Sequence, residues 1–132
     1  MKLGDTGYYP MTITKEGNQM FADLSGDYNP VHFSEERTAK TRFGKPIVNG
    51  IQVITGIGTA IVKMFCDETH MVIAIEQHNT FIKPVYIGET VNTEITVEEV
   101  LSKTDCWISA LVKNREQQVV ISSRFRIRVL DA

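Results

Sequence analysis

An α+β fold is predicted, an antiparallel sheet with a long helix covering one face. Two observations carry it. From Met71 onward, β-branched and alternating segments follow one another too closely for helices to lie between them, which implies antiparallel strands. Ahead of them, Gly50 to Phe65 is a mainly apolar run of helical length. The 132 residues suit a single domain over 1–132, with one core and room for one site.

The elements follow in order. Tyr8 to Ile13 alternates loosely and fits an edge strand or an entry segment. Thr14 is placed to cap a short helix in which Met20, Phe21 and Leu24 recur at helical spacing, and Gly26 is placed to end it. Asn29-Pro30 signals a turn. Ser34 followed by Glu35 and Glu36 then starts a second short helix with acidic residues at its positive end. Ser25 to His32 is therefore a loop between two small helices.

Phe43-Gly44-Lys45-Pro46 breaks the second helix, and Ile47-Val48-Asn49-Gly50 leads into the long one. Ile51, Ile54, Ile61, Val62 and Phe65 fill one of its faces, while Val53, Ile57, Ala60 and Met64 make the other apolar too. A helix apolar all round is enclosed on most sides. Gly56 and Gly58 each cost about 1 kcal/mol of helix propensity against Ala. Their presence predicts close approach of a neighbour, either packing against the sheet or leaving space for a ligand.

Met71 to Ile82 opens the strand half, and Lys83-Pro84 and Ile87-Gly88-Glu89 punctuate it. Thr90 to Leu101 places Val91, Thr93, Ile95 and Val97 on one side; Cys106 to Val112 and Val119 to Val129 follow. In the last, Phe125, Ile127 and Val129 alternate with Arg124, Arg126 and Arg128, which predicts a solvated basic face or, alternatively, a patch for phosphate. Trp107 and Tyr86 carry no reading beyond packing.

Composition narrows the function. Hydrophobic residues make up 42% and charged residues 23%, which is ordinary for a soluble globular protein. The net charge is −2 and no Lys/Arg block occurs, so a nucleic-acid partner is not expected. The N-terminus lacks an apolar signal core, and the longest apolar stretch is too short to span a bilayer; a cytoplasmic protein with no membrane role is expected. Cys66 and Cys106 are far apart and are expected as reduced core thiols, although a disulfide is possible on count alone. His32, His70 and His78 show no metal-ligand spacing, so no metal is implied, and His70 and His78 are expected as surface or strand histidines.

The candidate chemistry lies in Ser25-Gly26-Asp27-Tyr28-Asn29-Pro30-Val31-His32. A carboxylate and an imidazole held by a stiff turn can position a water between them. The same residues also suit plain turn chemistry, with Asp27 accepting backbone N–H bonds and Asn29 taking unusual dihedrals. A second element favours catalysis. Asn49-Gly50 stands at the head of the long helix, where unsatisfied N–H groups favour developing negative charge and Gly admits a ligand to its own N–H. Water activation and an oxyanion site together are what conjugate addition to a thioester requires.

These residues resemble a family. Phe21 through His32, with Ala39, Phe43 and Pro46-Ile47-Val48-Asn49-Gly50, look like the hydratase motif of the MaoC-like, (R)-specific enoyl-CoA hydratases. Phe81 through Val91 is similar to a strand and turn of the same family, so the resemblance covers nearly the whole chain.

The resemblance implies a hot-dog fold, in which the sheet wraps the central helix, and a homodimer made by joining two sheets. It implies that Asp27 and His32 hold the catalytic water and that the Gly50 N–H binds the thioester oxygen. Asn29 would shape the loop. Many relatives have His where this chain has Asn49, a position read as packing or orienting the loop. Some carry Ser where this chain has Gly58, so hydroxyl assistance there is lost.

The implied reaction is reversible hydration of a trans-2-enoyl thioester to the (R)-3-hydroxyacyl thioester, with no cofactor. The implied partner is an acyl thioester of coenzyme A or of an acyl carrier protein, the latter in a dehydratase of fatty acid or polyketide synthesis. A hot-dog thioesterase and a non-catalytic acyl-binding scaffold are the rival readings.

Overall fold

In the computed structural model, which describes residues 1–131, the chain runs through β1 (Thr6–Thr12), α1 (Lys15–Ser25), a 3-10 turn (Pro30–His32), α2 (Glu35–Thr38) and α3 (Gly50–Phe65). Four strands follow: β2 (His70–Phe81), β3 (Thr90–Val100), β4 (Asp105–Lys113) and β5 (Val119–Asp131). They form one antiparallel sheet in the order β1-β3-β4-β5-β2, with α3 packed on one face. This is the hot-dog arrangement of the α+β class.

The caps form where the side chains dictate. Thr14 Oγ1 accepts from Gly17 N at 2.9 Å, and Ser34 Oγ accepts from Arg37 N at 3.1 Å. Gly26 closes α1 at φ 76°, a left-handed conformation that a β-carbon would strain. The predicted alternation of β3 is also realised: Val91, Thr93, Ile95 and Val97 are all buried. They meet Val53, Ile57, Ala60 and Ile61 of α3 in a core completed by Ile108, Ala110, Val112, Phe125 and Ile127.

Four expectations are corrected, three of them in the helices. In α1 the buried positions are Asn18 and Ala22, while Met20 and Leu24 are 71% and 85% exposed. The apolar spacing in α1 thus marks its outer side, and its inner side is polar and small. In α3, Ile51 and Val62 are 61% and 50% exposed, so a stripe of the helix stays open in the single chain. Gly56 and Gly58 also separate. A β-carbon at Gly56 would stand 3.2 Å from Met11 Cε, whereas one at Gly58 would meet nothing within 4 Å.

The arginines of β5 are not a free solvated face. Arg128 Nε and Arg126 Nη2 donate to the buried Asp105 at 2.7 and 3.1 Å, and Arg124 reaches Glu98 at 3.1 Å. Arg124 also lies 4.5 Å from the centre of the Trp107 ring, a cation–π contact. Asp105 organises this face from one strand away, where no periodicity in β5 could reveal it. His70 and His78 lie on β2 beside Asp67 and Glu76, and Cys66 and Cys106 are both free, Cys106 buried and Cys66 partly so.

Candidate active site

Local hydrogen bonds build the loop after α1. Asp27 Oδ1 accepts from Asn29 N at 3.1 Å, and Asn29 Oδ1 accepts from Val31 N at 3.1 Å. Two Asx turns in succession deliver the chain into the 3-10 turn, with Pro30 fixing its first dihedral. His32 ends that turn and is only 8% exposed.

Partners distant in sequence fix the His32 ring. Its Nδ1 lies 2.7 Å from Ile47 O. A carbonyl only accepts, so Nδ1 carries the proton and donates, and in the neutral ring Nε2 keeps a free lone pair. Ile47 N donates to Val31 O at 3.0 Å, which makes a second rung between the same two segments. Val48 N in turn donates to Val85 O at 2.7 Å, and Ile47 bridges Tyr86. On the other side, the buried Asn18 Nδ2 donates to His32 O at 3.0 Å. This contact explains why α1 buries an asparagine, since a buried amide needs a partner.

Asn49 joins the loop to the helix. Its Oδ1 accepts from Ile51 N at 2.9 Å and caps α3, while its Nδ2 donates to Asp27 Oδ2 at 2.9 Å. Asn49 is 7% exposed, so both bonds are partly shielded from water. Asp27 is thereby held beside a helix N-terminus, where negative charge is favoured.

Gly50 is the first residue of α3, and its N–H has no intrahelical acceptor and no other hydrogen-bond partner among the described residues. The Phe81 ring lies against it. A β-carbon at Gly50 would stand 2.6 Å from Phe81 Cδ1 and would overlap Cε1 as well. His32, Val48, Gly50, Val53, Phe81 and Val85 share the walls of a cavity of about 270 Å³. A second hollow of about 320 Å³, walled in part by Asn18, Pro46 and Tyr86, also reaches His32.

The sequence-predicted residues are therefore placed as follows. His32 and Gly50 face one cavity. Asp27 is half-buried outside its walls and makes no hydrogen bond to His32, and Asn49 is its link to the helix terminus. Asn29 belongs to the turn. Gly58 sits eight residues along α3 from Gly50, about 12 Å at the helical rise, and lines neither hollow. Reading the sequence missed Asn18, Ile47 and Phe81. Only Asn18 left a signal, as a polar residue sharing a helix face with Ala22.

Residues 5–119 match the family described as MaoC like domain. The chain is 35% identical over 101 residues to a 3-hydroxybutyryl-CoA dehydratase of Methylorubrum extorquens, covering 76% of this chain and 63% of that protein. It is 28% identical over 132 residues to an (R)-specific enoyl-CoA hydratase of Rhodospirillum rubrum, covering 94% and 90%.

Among solved structures, the unliganded R-hydratase PhaJ1 of Pseudomonas aeruginosa superposes with a TM-score of 0.86 at 27% identity, covering 100% of this chain and 86% of that one. The chain spans 63%, 30% and 52% of the lengths of three curated relatives, so it is shorter than the proteins it matches in part. The family match over most of the chain, together with the hot-dog sheet and helix, places this protein in the MaoC-like domain family.

Proposed function

We propose that this chain is a hydro-lyase that reversibly hydrates trans-2-enoyl thioesters to (R)-3-hydroxyacyl thioesters. The observation that carries this reading is the meeting of a fixed imidazole and an unpartnered helix-terminal N–H in one cavity, with a carboxylate tied to the same terminus. His32 Nε2 accepts a hydrogen bond from a water that Asp27 also binds. The water oxygen adds to C3 of the enoyl chain and its proton passes to the Asp27/His32 pair. The electron pair of the double bond moves toward the thioester oxygen, which the Gly50 N–H stabilises. A proton returned from the pair to C2 completes the addition of water.

General acid–base participation contributes about 10²- to 10⁴-fold, and one oxyanion donor about 3 kcal/mol. The reverse reaction, dehydration of a 3-hydroxyacyl thioester, uses the same groups.

The proposed assembly is a homodimer. β2 is an edge strand of 12 residues, and Met71, Ile73 and Ile75 are 50%, 43% and 43% exposed on it. Pairing two such edges removes an aggregation-prone border and joins the sheets. The acyl chain and pantetheine then enter along the interface, past the open stripe of α3.

A panel of enoyl-coenzyme A and enoyl-carrier substrates of varied length tests the reading. Loss of the conjugated double bond without release of thiol is the expected result. Thiol release would instead identify a thioesterase, and no reaction across the panel would leave a binding scaffold.

A further inference from the structure

Two hollows meet at His32. One is the cavity of about 270 Å³ that Gly50 lines, and the other is the hollow of about 320 Å³ between α1 and the turn that ends in His32. His32 is the one described residue that lines both. Their walls differ in character. Val48, Val53, Phe81 and Val85 make much of the first wall apolar, whereas the second has the exposed side chains of Lys15, Gln19 and Glu35 at its rim. The buried Asn18 and His32 form the floor of this second hollow.

That floor carries an open hydrogen-bond acceptor. Asn18 is 4% exposed, and its Nδ2 donates to His32 O at 3.0 Å. A carbonyl only accepts, so this bond fixes which end of the amide is the donor and leaves Oδ1 as the free end. Asn18 Oδ1 has no partner among the described residues, yet its neighbours do not seal it off. Polar groups in such positions are ordinarily satisfied by water.

Hydration consumes one water per turnover, and a thioester seated against the Gly50 N–H fills the apolar cavity from which that water would otherwise come. The second hollow leaves His32 reachable from elsewhere. We propose that it is a separate entrance for water, in which Asn18 Oδ1 holds the incoming molecule and passes it to His32. The inference rests on the hydration reading of the Gly50 cavity and adds that the two substrates reach His32 by different paths. In the reverse direction C2 gives up a proton, the C3–O bond breaks, and the hydroxyl takes a proton and departs as water. That water leaves through the hollow while the enoyl thioester is still bound, and a solvent water replaces it and adds back to C3.

The test follows two exchange rates in one equilibrium mixture of an enoyl-coenzyme A and its 3-hydroxyacyl partner. One is the entry of heavy oxygen from labelled water into the C3 hydroxyl, and the other is the passage of an isotopic label in the coenzyme moiety from the enoyl to the hydroxyacyl pool. Water that shares the thioester's entrance leaves only after the enoyl product, so oxygen exchange then cannot outrun label exchange. A separate entrance lets oxygen exchange run ahead, which is the result expected in the parent chain. Gln19→Trp and Ile87→Phe enlarge side chains that line the hollow but not the Gly50 cavity. Each is expected to bring the ratio of the two rates down to unity with the KM for the thioester unchanged, and thermal melting checks its folding. Equal rates in the parent chain overturn the proposal while leaving hydration intact. Excess oxygen exchange that survives in both folded variants also overturns it, because water then leaves by another route. Absence of any interconversion in the parent chain overturns the hydration reading and this entrance with it.

Discussion

Asn49 Nδ2 donates to Asp27 Oδ2 at 2.9 Å, so the side chain that caps α3 also holds the carboxylate of the loop. The two duties separate on substitution. Asn49→Ser keeps a capping oxygen but is too short to reach Asp27, so kcat falls while stability stays within a few tenths of a kcal/mol. Asn49→Ala loses both and costs about 1 kcal/mol of stability as well. Chemical denaturation alongside steady-state kinetics checks the pair; equal kcat in Asn49→Ser and the parent would remove Asn49 from the positioning of Asp27.

Asp27→Asn is expected to lower hydration by about 10²- to 10⁴-fold in a folded protein that loses about 1 kcal/mol of stability, because the new amide N–H₂ faces the Asn49 Nδ2 donor. The amide can still accept from Asn29 N and preserve the turn, but it cannot take a proton from water. Activity retained in this variant would exclude the carboxylate from the reaction.

Gly50→Ala drives a methyl group into the Phe81 ring, and Phe81, 55% exposed on the cavity rim, has room to turn away only by opening that wall. Loss of activity by Gly50→Ala therefore has two candidate causes. The double variant Gly50→Ala/Phe81→Ala separates them: recovery shows that the glycine accommodates the ring, and continued loss shows that the thioester itself needs close approach to the N–H. The expected outcome is continued loss of kcat with recovered thermal stability.

Within α3, Gly58→Ala is expected to stabilise the chain by about 1 kcal/mol, since its β-carbon meets nothing within 4 Å. Gly56→Ala gains the same propensity but presses on Met11, so it gains less or loses. Urea titration of both variants reads the difference.

Asp105 supplies a pH dependence. Arg128, then Thr104 and Arg126, hold its carboxyl well below the usual carboxylate range. A lowered folded value means that the stabilisation is complete above the ordinary unfolded value, about 3.9, and is lost as pH falls through the lower folded one. Asp105→Asn should thus be less stable than the parent at neutral pH, with the gap closing below about pH 4. Urea midpoints at neutral pH and at pH values below 4 check the sign.

Much of the fold was legible because its signals are local. Alternation in β3, the caps at Thr14 and Ser34, and the left-handed stop at Gly26 depend on neighbours a few residues away, and each formed where the sequence placed it. The candidate site was legible only as a set of residue types and spacings. Its geometry depends on contacts between segments: His32 with Ile47 across 15 positions, and Asp27 with Asn49 across 22.

The sequence by itself determined the α+β class, the order of its elements and the family, because periodicity, turn chemistry and a long motif are written along the chain. Tertiary structure decided which ring nitrogen of His32 is free, that Asn49 holds Asp27, that Phe81 covers Gly50, and that Asp105 occupies the arginines of β5. The reason is physical. Hydrogen bonds and charge pairing between distant segments exist only after the sheet has closed over α3, and no pattern within one segment encodes its partner.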